Sequence, residues 1–183
     1  MQQSFDLFFV SSNHHKYQEA KKILESFGIS IGFFKYELEE IQSHSLKKIA
    51  SKKSKQAFQK CKKPIIVEDD GLFIDALVGF PGPYSSYVFK TIGNEGILHL
   101  LDKNRSAEFV SIISFCDAKN SKSFEATIKG KISKSQIGKG WGYDPIFIPT
   151  NSQKTFAELP NKNKLSHRYL ALKKFSSWYL RRQ

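Results

Sequence analysis

The stretch SFDLFFVSSNHHKYQEAKKILESFG, Ser4–Gly28, decides the fold class. Its first seven residues, Ser4–Val10, form an apolar, aromatic-rich run of strand length. Ser11-Ser12-Asn13 follow, residue types whose side-chain oxygens take up the free N–H groups at a helix start. Tyr17, Ala20, Ile23, Leu24 and Phe27 then recur at helical spacing, and Gly28 closes the segment. A strand delivered through a short turn into an amphipathic helix is the opening unit of an α/β protein.

Working outward, Ile29–Phe34 predicts a second short strand. Leu46, Ile49, Ala50, Ala57, Phe58 and Cys61 make a second helical stripe, which Pro64 ends. Ile65-Ile66-Val67 is a buried strand running into Glu68-Asp69-Asp70-Gly71. Phe80-Pro81-Gly82-Pro83 is a rigid turn, and Asn94–Leu101 a short helix. Glu108–Phe115 and Ser123–Ile132 are longer strands that a hairpin around the polar residues Asp117–Ser121 would join. Gly138–Gly142 is a glycine-rich loop, and Leu165, Tyr169, Leu172, Phe175 and Tyr179 mark a last amphipathic helix. Early alternation of strand and helix with longer strands in the middle predicts an α/β protein: a mixed, twisted sheet flanked by helices, with a cleft between two lobes. No repeat or linker interrupts it, so residues 1–183 are expected to form one domain.

The 183 residues, 40% hydrophobic and 14% aromatic, are enough for a sizeable core. No apolar run approaches membrane-spanning length, and Met1–Asp6 lacks the basic-then-apolar order of a secretory leader. A soluble, cytoplasmic protein is expected. Cys61 and Cys116 stand far apart with no partner at ligand spacing, which favours two plain thiols over a disulfide or a zinc site. The formal charge of +12 calls for an anionic partner: nucleic acid, an anionic membrane or a polyphosphate. Much of it sits in Lys47, Lys48, Lys52, Lys53, Lys55, Lys60, Lys62 and Lys63, for most of which a solvated helix face is the plain explanation.

Four segments gather polar residues at the ends of expected strands, where α/β proteins place their sites. Ser11, Ser12, Asn13, His14, His15 and Lys16 open a helix, whose free N–H groups and positive dipole end suit a phosphate. No Walker A glycines are present, and an ordinary capped helix would read the same. Glu40-Ile41-Gln42 and Glu68-Asp69-Asp70 supply hard oxygen donors of the kind magnesium takes; three adjacent acids are costly unless a cation compensates. Trp141, Gly142, Tyr143 and Asp144 put aromatics in a glycine loop, where a base could stack. Lys162, His167 and Arg168 supply donors for a base edge. Taken together these are the parts of a nucleotide site.

At this point the chain resembles the inosine triphosphate pyrophosphatase family, which removes ITP, dITP and XTP. The resemblance rests on six motifs in family order over nearly the whole chain: Ser11, Asn13, Lys16 and Glu19; Glu40-Ile41-Gln42 with Lys52 downstream; Glu68–Leu72 with the turn Gly79–Tyr84; Gly140–Phe147; Thr155-Phe156-Ala157-Glu158; and Lys162–Arg168. It implies a long mixed sheet with two lobes and a central nucleotide-binding cleft, usually as a homodimer. It implies a magnesium-dependent hydrolase that releases pyrophosphate from non-standard purine nucleoside triphosphates. By the same resemblance Glu40 and Asp69 hold the metal, and Asp69 also acts as general base, ionised beside the metal. Ser11 through Lys16, with Lys52, take the triphosphate; Trp141, Gly142, Tyr143 and Asp144 take the purine; Lys162, His167 and Arg168 line the base and phosphate side. Three positions depart from the family's pattern: Asp70 stands where Ser or Thr is usual, Ser86 where Arg or Lys is common, and Trp141 where Phe is commoner. Asp70 is kept among the substrate-facing residues, as an added negative charge near the phosphates. No nucleic-acid-binding motif accompanies the lysine run and no membrane partner is expected; the alternative readings are a basic module that binds nucleic acid through that run, and a family member that binds nucleotides without hydrolysing them because of Asp70.

Overall fold

The computed structural model describes residues 5–182. In chain order its elements are β1 (Phe8–Ser11), α1 (His14–Glu25), β2 (Gly32–Lys35), α2 (Leu46–Cys61), β3 (Ile65–Ile74), β4 (Pro81–Gly82), α3 (Ser85–Thr91), α4 (Gly93–His99), β5 (Ser106–Cys116), β6 (Ser121–Ile132), β7 (Phe147–Pro149) and α5 (His167–Tyr179). The strands form one mixed sheet in the order β2-β1-β3-β5-β6-β7, with β4 paired to β3 off that path. β1 lies parallel to β2 and to β3, whereas β4 on β3 and β7 on β6 are antiparallel. Parallel neighbours need crossovers, and α1 and α2 provide them. The expected α/β class with a mixed, helix-flanked sheet is therefore the observed one.

Among the described residues the backbone divides into two compact units: 5–69 with Ser111–Ala126 and 168–182, and Asp70–Val110 with Thr127–His167. The first unit has two apolar clusters. One gathers Phe9, Ile23, Leu24, Ile66, Phe115, Leu172 and Phe175; the other gathers Val10, Ala57, Ile65, Val67 and Cys116. The second unit has its own core of Leu72, Ile74, Ile97, Phe109, Phe147 and Phe156 among others. Each unit thus has a core of its own.

Element edges differ from the sequence reading in informative ways. β1 begins at Phe8 and extends through Ser11, whose carbonyl accepts from the Tyr36 N–H; Ser4, the first residue of the expected strand, lies outside the described residues. β3 runs ten residues through all three acids to Ile74, instead of stopping before them. α3 was not legible in the sequence; Ile92 separates it from α4, whose first residue, Gly93, takes φ +62°. α2 ends on Lys62 in the left-handed region at φ +57°, just ahead of Pro64. The turn at Asp117 is built by its own carboxylate, whose Oδ1 accepts from the N–H groups of Lys119 and Asn120.

Candidate active site

In the first unit, Asn13 is the N-cap of α1: its Oδ1 accepts from the N–H of His15 at 3.0 Å and of Lys16 at 3.3 Å. The Asn13 N–H in turn donates to Ser11 Oγ at 3.0 Å. Ser11 and Asn13 therefore shape the turn with the side chains assigned to a phosphate. Ser12, His14 and His15 are exposed, and Lys16 is half-buried. No acid occupies the first turn of α1, so its positive dipole end is not offset there.

The three consecutive acids of β3 are separated by strand alternation, which sends neighbouring side chains to opposite faces. Glu68 is buried against Arg168, whose Nε donates to Glu68 Oε1 at 2.9 Å and Oε2 at 2.7 Å. Ser111 Oγ donates to the same Oε1 at 2.9 Å, and the Arg168 guanidinium also pairs with Glu19. Arg168 is only 1% exposed. A planar guanidinium held by two carboxylates is a buried clamp. Arg168 was expected on the base and phosphate side; in the structure it pairs with Glu68 and Glu19.

Asp69 is buried on the other side of the strand. Lys53 Nζ bridges the acids assigned to the metal, lying 2.5 Å from Asp69 Oδ1 and 2.6 Å from Glu40 Oε2. Burial pushes the Asp69 carboxyl above its usual range, and the nearby ammoniums of Lys53 and Lys16 oppose that shift without cancelling it. The resemblance had implied an ionised Asp69 beside a metal; within the protein alone, burial weighs the other way. Asp69 Oδ2 is buried with no hydrogen-bond partner. That oxygen, with the exposed carboxylate of Glu40, suits a hard cation that keeps several waters and needs only one or two carboxylates. Among the described residues no group of three or more His, Cys, Asp or Glu could hold a metal ion, so a cage made wholly of protein ligands is not built.

Lys52 had been assigned to the triphosphate, yet the neighbouring Lys53 is the one turned to Glu40 and Asp69. The cause is helical phase. Lys53 lies four residues after Ile49 and four before Ala57, inside the buried stripe of α2, while Lys52 is exposed. An ionisable residue in register with an apolar stripe is the sequence signal that marks Lys53.

In the second unit, Asp70 Oδ2 lies 3.8 Å from Nε2 of His167, which is buried and stacks on Phe109 with centroids 4.5 Å apart and planes 8° from parallel. His167 Nδ1 has no hydrogen-bond partner. Gly71 follows Asp70 because a Cβ there would sit 2.6 Å from the Gly82 carbonyl oxygen of the paired strand. Ser85 secures that pairing: its hydroxyl accepts from the Leu72 N–H at 2.8 Å and donates to Gly82 O at 2.6 Å.

The glycine loop is tied to the same region. Tyr143 is buried, and its hydroxyl donates to Ser85 O at 2.8 Å. Burial pushes its phenol well above the usual range. Gly142 takes φ +62°, and its carbonyl accepts from Asn94 Nδ2 at 3.1 Å. Asp144, also buried, holds Lys162 Nζ at 2.5 Å, and that ammonium lies 5.5 Å from the centre of the Trp141 ring. Tyr143 and Asp144 therefore shape the loop, while Trp141 and Lys162 beside them are half-buried. Ser85 and Asn94 carried no sequence signal, since their partners are 58 and 48 residues away.

The family model described as "Ham1 family" matches residues 7–178. A protein from Methanopyrus kandleri named dITP/XTP pyrophosphatase is 48% identical over 179 residues, covering 94% of this chain and 95% of that protein. The Thermococcus kodakarensis protein of the same name is 44% identical, covering 94% and 96%. Among solved structures, a HAM1 protein from Coxiella burnetii superposes with a TM-score of 0.82 at 27% identity, covering 97% of this chain and all of that one. The Staphylococcus aureus Ham1 protein gives 0.77 at 28% identity over 96% of this chain.

Proposed function

Since the chain belongs to the Ham1 family, we propose that it hydrolyses non-standard purine nucleoside triphosphates, dITP, XTP and ITP, to the monophosphate and pyrophosphate. The observation that carries the reading is near-full-length identity of 40–48% to relatives that all bear the name dITP/XTP pyrophosphatase. The bridging of Glu40 and Asp69 by one ammonium supports the chemistry, because a carboxylate pair beside lysines is the equipment for phosphoryl-group hydrolysis.

Glu40 and Asp69 are the residues that would hold magnesium, with the unpartnered Oδ2 of Asp69 the free donor. Bound there, the ion supplies charge neutralisation to the polyphosphate. The Asp69 carboxylate takes the proton of the attacking water, and burial, by raising its basicity, suits it to that task. Lys53 and Lys16 offset the negative charge of the leaving pyrophosphate. Trp141 offers an aromatic face for the purine. Lys162 is steered by Asp144 to a fixed place over that ring. His167, held flat by Phe109, donates toward a 6-keto oxygen, which adenine lacks.

A homodimer is part of the proposal. Val78 is 98% exposed and Tyr87 69%, and Phe80, Tyr84, Phe89 and Ile92 add to the same apolar run of the second unit. Exposed apolar side chains in such number within one short segment call for a partner. Among the described residues no helix is long and apolar enough to cross a membrane, and we place the enzyme with its nucleotides in the cytoplasm.

The test incubates purified protein and magnesium with dITP, XTP, ITP, ATP or GTP, and identifies the phosphorus-containing product. Pyrophosphate from the first three, with little from ATP, and its loss on omitting the metal are expected. Orthophosphate as product, or no turnover of any of the three, sinks the reading.

A further inference from the structure

A second concentration of positive charge stands apart from the acids. Lys47, Lys48, Lys52 and Lys55 of α2, with Lys122 at the start of β6, line a groove of about 770 Å³. The rest of its lining is serine, and no carboxylate takes part. Among the described residues none of these five lysines forms an ion pair, and all five are exposed. The groove belongs to a different side of α2 from the one that serves Asp69. From Lys48 to Lys53, five residues carry the helix a full turn plus roughly 140°.

We propose that this groove is an anion site separate from the catalytic one, and that its occupant is a short oligophosphate, free or borne by a nucleotide. The four α2 lysines brought to one concavity repel one another, and a polyanion reverses the sign of that term. The volume is in the range of small-ligand sites rather than of an extended track. α2 starts at this groove with Ser45 as N-cap, and its first turn carries Lys47 and Lys48 and no acid. The chain thus places cations at the positive end of a sixteen-residue helix, where an external anion gains from both. The floor is fixed, since Ser123 is hydrogen-bonded to buried Ser114 at 3.1 Å, and Ser114 to buried Ser54 at 3.1 Å. No aromatic side chain lines the groove, so it has no surface on which bases of a nucleic-acid strand would stack. Lys122 turns its ammonium over Trp178 and Phe124 at 5.1 and 5.7 Å, which covers the nearest rings. Lysine ammoniums and serine hydroxyls are point donors, suited to phosphate oxygens of varied spacing.

The test titrates inorganic triphosphate into the full chain in metal-free buffer, following the backbone amide NMR signals of Ser45, Ser51, Ser121 and Ser123. Saturable shifts are expected at these amides. A Lys47→Ala, Lys48→Ala, Lys55→Ala triple variant should weaken binding read there at least tenfold, and arginine at the same three positions should preserve it. With magnesium restored, dITP turnover by the alanine variant should stay within twofold of the parent. The proposal is overturned if the amides do not move, if the alanine variant binds equally well, or if a DNA oligonucleotide but not triphosphate moves them. A parallel fall in turnover would also overturn it, by making the groove part of the catalytic site. Binding here does not require hydrolysis, so an inactive parent enzyme would count against the proposed function and leave this result to stand by itself.

Discussion

Arg168 Nε donates to both carboxylate oxygens of Glu68, at 2.9 and 2.7 Å, with both side chains sealed from solvent. The pair joins the helix that ends the chain to the strand bearing the acids, 100 residues apart in sequence. Removing one partner of such a pair leaves an uncompensated buried charge, at a cost of roughly 3–5 kcal/mol. Glu19 still faces Arg168 when Glu68 is changed, which puts Glu68→Gln near the low end, about 3 kcal/mol. For a chain of this size the Tm should fall by roughly 6–12 °C, read by calorimetry. An unchanged Tm would show that the clamp adds nothing to stability.

Asp69 should behave in the opposite way. Its carboxyl is raised by burial, so the folded state holds its proton more tightly than the unfolded chain does. That contribution is full below the ordinary aspartate range and is lost as pH rises through the folded value. Above the ordinary aspartate range its burial therefore works against folding, and Asp69→Asn is expected to be at least as stable as the parent. Turnover should fall by about 10²–10⁴-fold, the usual weight of a lost general base. A destabilised variant with activity intact would reverse both assignments; urea unfolding and dITP kinetics measure the two.

Lys53 and Lys52 are neighbours with different surroundings. Lys53→Ala removes the ammonium bridging Glu40 and Asp69, and kcat should drop by about 10²–10³-fold. Lys52→Ala changes an exposed residue on another side of α2, and its effect on kcat should be far smaller. Equal losses would mean that Lys52 reaches the substrate after all. Steady-state kinetics on XTP decide.

The fold was legible where periodicity carries it. The run Phe8–Ser11 and the stripe from Ala20 to Leu24 have local causes, and β1 and α1 follow from them. The acids of Glu68–Asp70 were legible as a cluster but not as a device. Only the fold assigns Glu68 to Arg168, Asp69 to Lys53 and Asp70 to the side of His167. A compensating cation was thought necessary, and the chain's own cations meet much of that need. The Tyr143 anchor on Ser85 was invisible because a backbone carbonyl leaves no trace in the sequence.

Tyr143 predicts an alkaline signature. Its phenol is raised by burial, so the stability it lends is present below the ordinary tyrosine value, near pH 10, and is lost as pH climbs toward the folded one. Tyr143→Phe removes one hydrogen bond, costing about 1 kcal/mol at pH 8, and it also removes this pH dependence. The gap between parent and variant should therefore narrow between pH 9 and 11, where lysine titration is common to both. Unfolding in urea at each pH supplies the comparison, and a constant gap would contradict the burial argument.

Asp70 is the departure from the family pattern with the clearest electrostatic consequence. Its carboxylate lies 3.8 Å from His167 Nε2 and directly follows the proposed metal ligand in β3. A polyphosphate approaching these residues meets one more negative charge than Ser or Thr would present. Asp70→Ser should therefore lower KM for XTP severalfold while kcat changes little, because the repulsion acts on the bound substrate and the transition state alike. The gain should shrink at high salt if the charge acts through partly solvated space. Unchanged KM at low salt would mean that His167 and the neighbouring cations already neutralise the carboxylate. A fall in kcat would instead make Asp70 a working part of the site, with the His167 contact as its point of action.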